Sequence, residues 1–150
     1  MEREGWLIEE AAEGDIPELC KLLALLFELE QDFAPDSEKQ RRALRLFLEV
    51  SHATVLIARK EGKVAGMCAI SLAISTAEGG WSGEIEDLVI APEFRRQGLA
   101  KLLLDESEKW CRQRGALRMR LNCDDLNFPA IELYEKLGWE KSHLFIMFKR

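Results

Sequence analysis

A chain of 150 residues, 47% hydrophobic and 32% charged, has the size and balance of one soluble domain with a buried core. Its net charge of −6 makes nucleic acid a poor partner, and apolar runs such as Leu22 to Phe27 are too short to span a bilayer. Four scattered cysteines without a C-x-x-C pair, two isolated histidines and no visible secretory signal point to no disulfide framework and no metal. One domain over residues 1–150, working in the cytoplasm away from membranes, is expected.

Taken in chain order, Trp6 to Ala11 reads as a short strand. A helix follows, with Asp15 as N-cap, Pro17 in the first turn, Glu18 three residues after the cap, and Leu19, Leu22, Leu23, Leu26 and Leu29 at helical spacing. A second helix is expected over 38–50, with Leu44, Phe47 and Leu48 inward. Two strands about a turn at Glu61–Gly62 give the clearest hairpin signal. After a loop, TAEGGWSG, come a strand EIEDLVIA, a helix over 98–114 closed by Gly115, a strand LRMRLNC, a helix NFPAIELYEKLGW closing at Gly138, and a last strand HLFIMFK. The order β-α-α-β-β-β-α-β-α-β predicts an α/β (α+β) fold, a mixed central sheet flanked by helices.

The stretch RRQGLA (Arg95 to Ala100) lies between a strand and a helix. Free N–H groups and the macrodipole at that helix start favour an anion, phosphate being the commonest biological one, and Gly98 lets backbone approach a ligand closely. The Walker pattern and G-x-G-x-x-G are both absent, so neither kinase-like nucleotide chemistry nor dinucleotide binding is supported. The alternative is a solvated turn with one helix-starting glycine.

RRQGLA resembles the R/Q-x-x-G-x-G/A signature of the GNAT superfamily of acetyl-CoA-dependent N-acetyltransferases. Upstream, IEDLVIAPEF is similar to that family's strand and approach to the turn. Downstream, NFPAIELYEKLGW resembles its N-x-x-A-x-x-x-Y-x-x-x-G-[FW] helix. The three blocks cover Ile85 to Trp139. Ala100 stands where many members have a second glycine.

The resemblance implies that the anion is the pyrophosphate of acetyl-CoA, bound as acyl donor. Gln97, Gly98, Leu99 and Ala100 would cradle it with Arg95 and Arg96 nearby. The backbone of Leu88, Val89 and Ile90 would pair with the pantetheine arm and offer an N–H to the thioester oxygen. Asn127 and Ala130 would line the same arm. An amine acceptor arrives largely protonated, with a pKa near 10.4 if it behaves like lysine, so a base is needed. Glu84, Glu86 and Asp87 are candidates; alternation puts Glu84 and Glu86 on one face, Asp87 on the other, and Glu86 is preferred, with Glu84 second. Tyr134 shares a helix face with Asn127 and Ala130 and is the candidate acid for the leaving thiolate. No histidine partners Ser107, Cys111 or Cys123, which favours direct attack in a ternary complex over an acyl-enzyme.

The first third holds 13 acids against 6 bases. Glu28, Glu30, Asp32, Asp36 and Glu38 lie in the helix–loop–helix that borders the acceptor cleft in GNAT-like folds, which suits a small cationic primary amine; Phe33 and Trp81 could close over it. A non-catalytic acyl-CoA-binding or regulatory module and a protein N-terminal or lysine acetyltransferase remain as alternatives. So does a homodimer, since dimers are common among proteins that resemble this one.

Overall fold

The computed structural model describes residues 2–30 and 32–150. Its elements are β1 (Glu2–Arg3), β2 (Trp6–Glu10), α1 (Ile16–Leu29), α2 (Ser37–Glu49), β3 (Ala53–Lys60), β4 (Lys63–Ser75), β5 (Gly80–Ile90), α3 (Leu99–Gln113), β6 (Ala116–Leu121) and α4 (Phe128–Lys136). Sheet order equals chain order, β1 to β6. Every pairing is antiparallel except β5 with β6.

The mixed sheet between helices is as expected, but its ends differ. A two-residue strand, β1, precedes β2. The stretch HLFIMFK forms no strand: it lies off the sheet and exposed, and β6 is left as the end strand. β5 also starts earlier than expected, at Gly80, because Gly80 to Gly83 pair with Leu72 to Ser75 and carry the hairpin inward from the loop. Asp15 does precede α1, but its carboxylate forms no cap bond. It accepts from the Ala12 N–H at 2.9 Å and pairs with Arg59 at 2.7 Å instead.

Alternation along β3 and β4 feeds two cores. Leu56, Cys68, Ile70 and Ile85 face α3, whose Leu99, Leu102, Leu103, Trp110 and Cys111 recur at three- and four-residue spacing and are buried. Val55, Ile57, Met67, Ala69 and Val89 face the other way, under Ile16, Leu19 and Leu23 of α1 and Leu44 of α2. Burying each of these large side chains is worth about 1.5–3 kcal/mol. The result is a sheet sandwiched between α1/α2 and α3. Gly83 lets β5 lie close to its neighbours, since a Cβ there would fall 2.5 Å from Met119 Sδ and 2.7 Å from Cys111 Sγ.

Candidate active site

α3 begins in an unusual backbone. Beyond Ile90 the chain makes one tight turn at Pro92–Phe94, then Arg96 and Gly98 both adopt positive φ, +61° and +75°. Only glycine takes such an angle cheaply, and a Cβ on Gly98 would meet nothing within 4 Å, so the requirement is conformational. No side chain caps α3. Its first N–H groups therefore lack the partner a serine or aspartate would supply, and a helix start of this kind, with its macrodipole, favours an anion. Leu99 and Leu102 anchor the turn in the core, while Arg95, Arg96, Gln97 and Gly98 are exposed. The Arg95 Nε donates to the Ile90 carbonyl at 3.1 Å, which ties the guanidinium back beside the strand end.

A gap opens next to this turn. β5 and β6 pair from Trp81↔Ala116 to Ile85↔Leu121, and there the pairing stops although β5 runs on to Ile90. From Glu86 to Ile90, β5 is paired only with β4, so among the described residues no strand covers its other edge. Leu88, Val89 and Ile90 lie on this uncovered stretch. An extended chain could add there as a short strand.

The same stretch carries an irregularity invisible to a period-two reading. Cys68 pairs with Leu88 and Ile70 with Ile85, which leaves Glu86 and Asp87 together opposite the single residue Ala69. That two-to-one match is a β-bulge, and it cancels the expected separation of Glu86 and Asp87 onto opposite faces. Burial, then the charges of Glu86 and Glu30, push the Asp87 carboxyl up to about 7. Burial and the charges of Asp124, Glu86 and Asp32 likewise raise Glu30, at the C-terminal end of α1. Glu30 thus lies within electrostatic reach of Asp32, Glu86, Asp87 and Asp124, an acidic cluster drawn from three parts of the chain. Asp124, just past β6, had no motif to signal it. Glu84 is engaged elsewhere, accepting from Arg120 Nε at 2.7 Å.

α4 supplies the opposite wall. Asn127 is its N-cap, with Oδ1 accepting from the Ala130 N–H at 3.4 Å, which leaves the amide NH₂ and one lone pair of Oδ1 to offer to a ligand. Tyr134 is half-buried against the same core as Leu88 and Ile90, its ring 6.2 Å from that of Trp139. Burial and the neighbouring Cys123 and Cys68 raise its hydroxyl above the ordinary phenol range, so it keeps its proton at any working pH. Burial likewise pushes Cys68 up to about 12 and Cys111 up to about 11, so neither is a ready nucleophile.

Phe33 packs against Phe27 and Phe148 at centroid distances of 5.9 and 5.6 Å. Trp81 is not brought to the site. It pairs with Ala116 at the start of β5, about 17 Å of strand from the bulge. Two shallow depressions, of about 420 and 330 Å³, both reach Trp110 and Arg114 near the C-terminal end of α3, away from this chemistry. Among the described residues no group of three His, Cys, Asp or Glu could hold a metal ion, and no helix is long and apolar enough to cross a membrane.

An uncapped helix start with free N–H groups, two arginines beside it and an unpaired strand edge fit a pyrophosphate with an extended arm. The model of the acetyltransferase (GNAT) family matches residues 19–139. A putative [ribosomal protein bS18]-alanine N-acetyltransferase of Bacillus subtilis is 32% identical over 93 residues, 62% of this chain and 58% of that protein. An aminoalkylphosphonate N-acetyltransferase of Salmonella typhimurium is 31% identical over 58% of this chain and 56% of its own. The matches thus span just over half the length of these two relatives. Among solved structures, aminoglycoside N-acetyltransferase AAC(6')-Iy in complex with CoA superposes with a TM-score of 0.84 at 18% identity, covering 97% of this chain and 94% of that one, which is a likeness of fold.

Proposed function

The chain belongs to the GNAT family of acetyltransferases, and on that footing we propose that it moves the acetyl group of acetyl-CoA to the primary amine of a small cationic acceptor. The observation that carries the reading is the pairing of two unlike surfaces at one strand end. The uncapped start of α3 and the uncovered edge of Leu88 to Ile90 lie at the C-terminal end of β5, and the carboxylates of Glu86 and Asp87, within electrostatic reach of Glu30, come just before them.

The amides of Gln97 to Ala100, with Arg95 and Arg96, hold the pyrophosphate. The uncovered edge of Leu88, Val89 and Ile90 aligns the pantetheine arm and offers an N–H where negative charge develops on the thioester oxygen. The acidic cluster attracts an ammonium. Asp87, with a pKa near neutrality, takes its proton directly or through water, as Glu86 was expected to do from sequence. Glu86 acts by charge, raising its neighbour. As the C–N bond forms and the C–S bond breaks, the Tyr134 hydroxyl donates to the departing sulfur. Its high pKa makes it a hydrogen-bond donor to the thiolate, and the proton finally held by the thiol comes from the amine.

The buried thiols, free in the structure, support residence in the cytoplasm, and residues 1–150 are taken to work as one domain. A peptide amine is the second reading, favoured by the ribosomal-protein acetyltransferase of Bacillus subtilis at 32% identity. Calorimetry of acetyl-CoA on the wild-type chain and on Gly98→Glu tests the first step. Micromolar binding that disappears in the variant supports the cradle, whereas no wild-type binding removes the enzymatic reading. A panel of diamines, aminoglycosides and short peptides then ranks the acceptors.

A further inference from the structure

Two costly features meet beside the candidate base. The first is gathered charge. Glu30 sits at the C-terminal end of α1, the negative pole of that helix, within electrostatic reach of Asp32, Glu86 and Asp124. The second is apolar surface. Leu29 and Phe33, which bracket Glu30 and Asp32 in the chain, are 63% and 43% exposed. Leu126 and Phe128, which follow Asp124, are 55% and 67% exposed. Large hydrophobics scattered singly over a surface need no explanation, but here the two segments that bring Glu30 and Asp124 both bring them.

These apolar groups are held in place. Phe33 lies 5.9 Å from Phe27, which packs on the α1/α2 core, and 5.6 Å from Phe148 with the ring planes 77° apart. Leu126 lies in a turn closed by its own N–H to Asp124 Oδ1 at 2.9 Å and by the Asn127 N–H to the Asp124 carbonyl at 3.0 Å. One kind of molecule relieves both costs. An ammonium answers the carboxylates, and an apolar body attached to it covers the exposed side chains. A polyamine or an amino sugar answers only the first, since its further ammonium or hydroxyl groups would lose hydration against Phe33 and Leu126. Burial and mutual repulsion also favour the neutral forms of Glu30 and Asp87. The cluster therefore holds less negative charge than the number of its carboxylates, and a single ammonium goes far toward balancing it.

We propose that the acceptor is an amphipathic primary amine, its one ammonium seated among Glu30, Asp87 and Asp124 and its alkyl or aryl body lying against Phe33 and Leu126. The assignment rests on the acetyl transfer proposed above and names the body of its acceptor. The transfer is unchanged: the C–N bond forms, the C–S bond breaks, and the proton lost by the amine ends on the thiol. Phe33 and Leu126 set specificity, because an amine held by its body presents its nitrogen to Asp87 and the thioester in one orientation.

Steady-state rates at saturating acetyl-CoA test this, over the straight-chain monoamines from propylamine to hexylamine and the diamine of each length. Each added methylene should raise kcat/KM about threefold to fourfold, and hexylamine should exceed its diamine by about tenfold or more. Phe33→Ala and Leu126→Ala should each lower the rise to about twofold per methylene. Both positions are exposed, so the fold should survive, which acetyl-CoA calorimetry on each variant checks. A flat series, a preference for the diamines, or a rise unchanged in either folded variant overturns the amphipathic acceptor and leaves acetyl transfer standing. Acetyl-CoA that binds without transfer to any of these amines overturns this inference and the small-amine reading together.

Discussion

Replacing Asp87 with asparagine keeps the shape of the side chain and removes its charge, so the variant separates what that charge does for stability from what it does for rate. In the fold this carboxyl titrates near 7 against 3.8 when unperturbed, because burial and the charges of Glu86 and Glu30 disfavour the anion. Between those values the folded state binds the proton more tightly than the unfolded chain, so raising the pH destabilises the wild type across that window and no further above it. From pH 5 to the folded pKa is two units, and at 1.36 kcal/mol per unit the penalty grows by about 2.7 kcal/mol at most. Asp87→Asn escapes that growth. Its stability relative to wild type, from urea denaturation, should therefore rise by about 2–3 kcal/mol between pH 5 and pH 8, whatever constant offset the amide introduces. Activity should move the other way. Wild-type kcat/KM should climb through an inflection near pH 7, and the variant should lose both that inflection and about 10²–10⁴-fold in rate, the usual worth of a general base. A stability difference equal at the two pH values would refute the buried-anion argument. An unchanged pH–rate profile would remove Asp87 from the chemistry.

Gly98→Ala should cost about 1–2 kcal/mol of stability from the left-handed backbone alone, with acetyl-CoA still bound, whereas Gly98→Glu should lose binding in the calorimeter because its carboxylate repels the pyrophosphate. Tyr134→Phe should lower kcat about 10- to 100-fold with acetyl-CoA affinity nearly intact, read from steady-state kinetics beside calorimetry; equal turnover would exclude the hydroxyl as donor. Gly83→Ala should destabilise by about 1–3 kcal/mol in thermal unfolding, because its methyl group meets Cys111 Sγ, on a short side chain that has little room to give.

Much of this was legible because it is local. The spacing of Leu99, Leu102, Leu103 and Trp110, the Glu61–Gly62 turn, the Gly98 helix start and the face shared by Asn127, Ala130 and Tyr134 depend on residues a few positions apart. What escaped is set across strands. The bulge at Glu86 and Asp87 exists only as a mismatch with Ala69, so an alternation count separates two carboxylates that the register sets together. Glu30 and Asp124 join the cluster through tertiary placement, and no spacing rule connects them to Glu86. Trp81 was expected near substrate because its loop was drawn too long; pairing with β4 and β6 fixes it at the far end of β5. The strand expected over His143 to Lys149 does not form, because strand-like composition does not decide whether a segment pairs with the sheet.

The single parallel pairing in the sheet has a geometric consequence. Two neighbouring antiparallel strands can be joined by a tight hairpin, as β3 and β4 are, but β5 and β6 run the same way, and the chain must travel back the length of the sheet between them. α3 makes that return journey. A return helix has to start where the first strand ends, so its positive pole is delivered to the C-terminal end of β5, the same place where β6 has turned away. Binding charge and open backbone are thereby co-located by connectivity, and selection needed only to supply a glycine and two arginines at a corner that the topology had already charged.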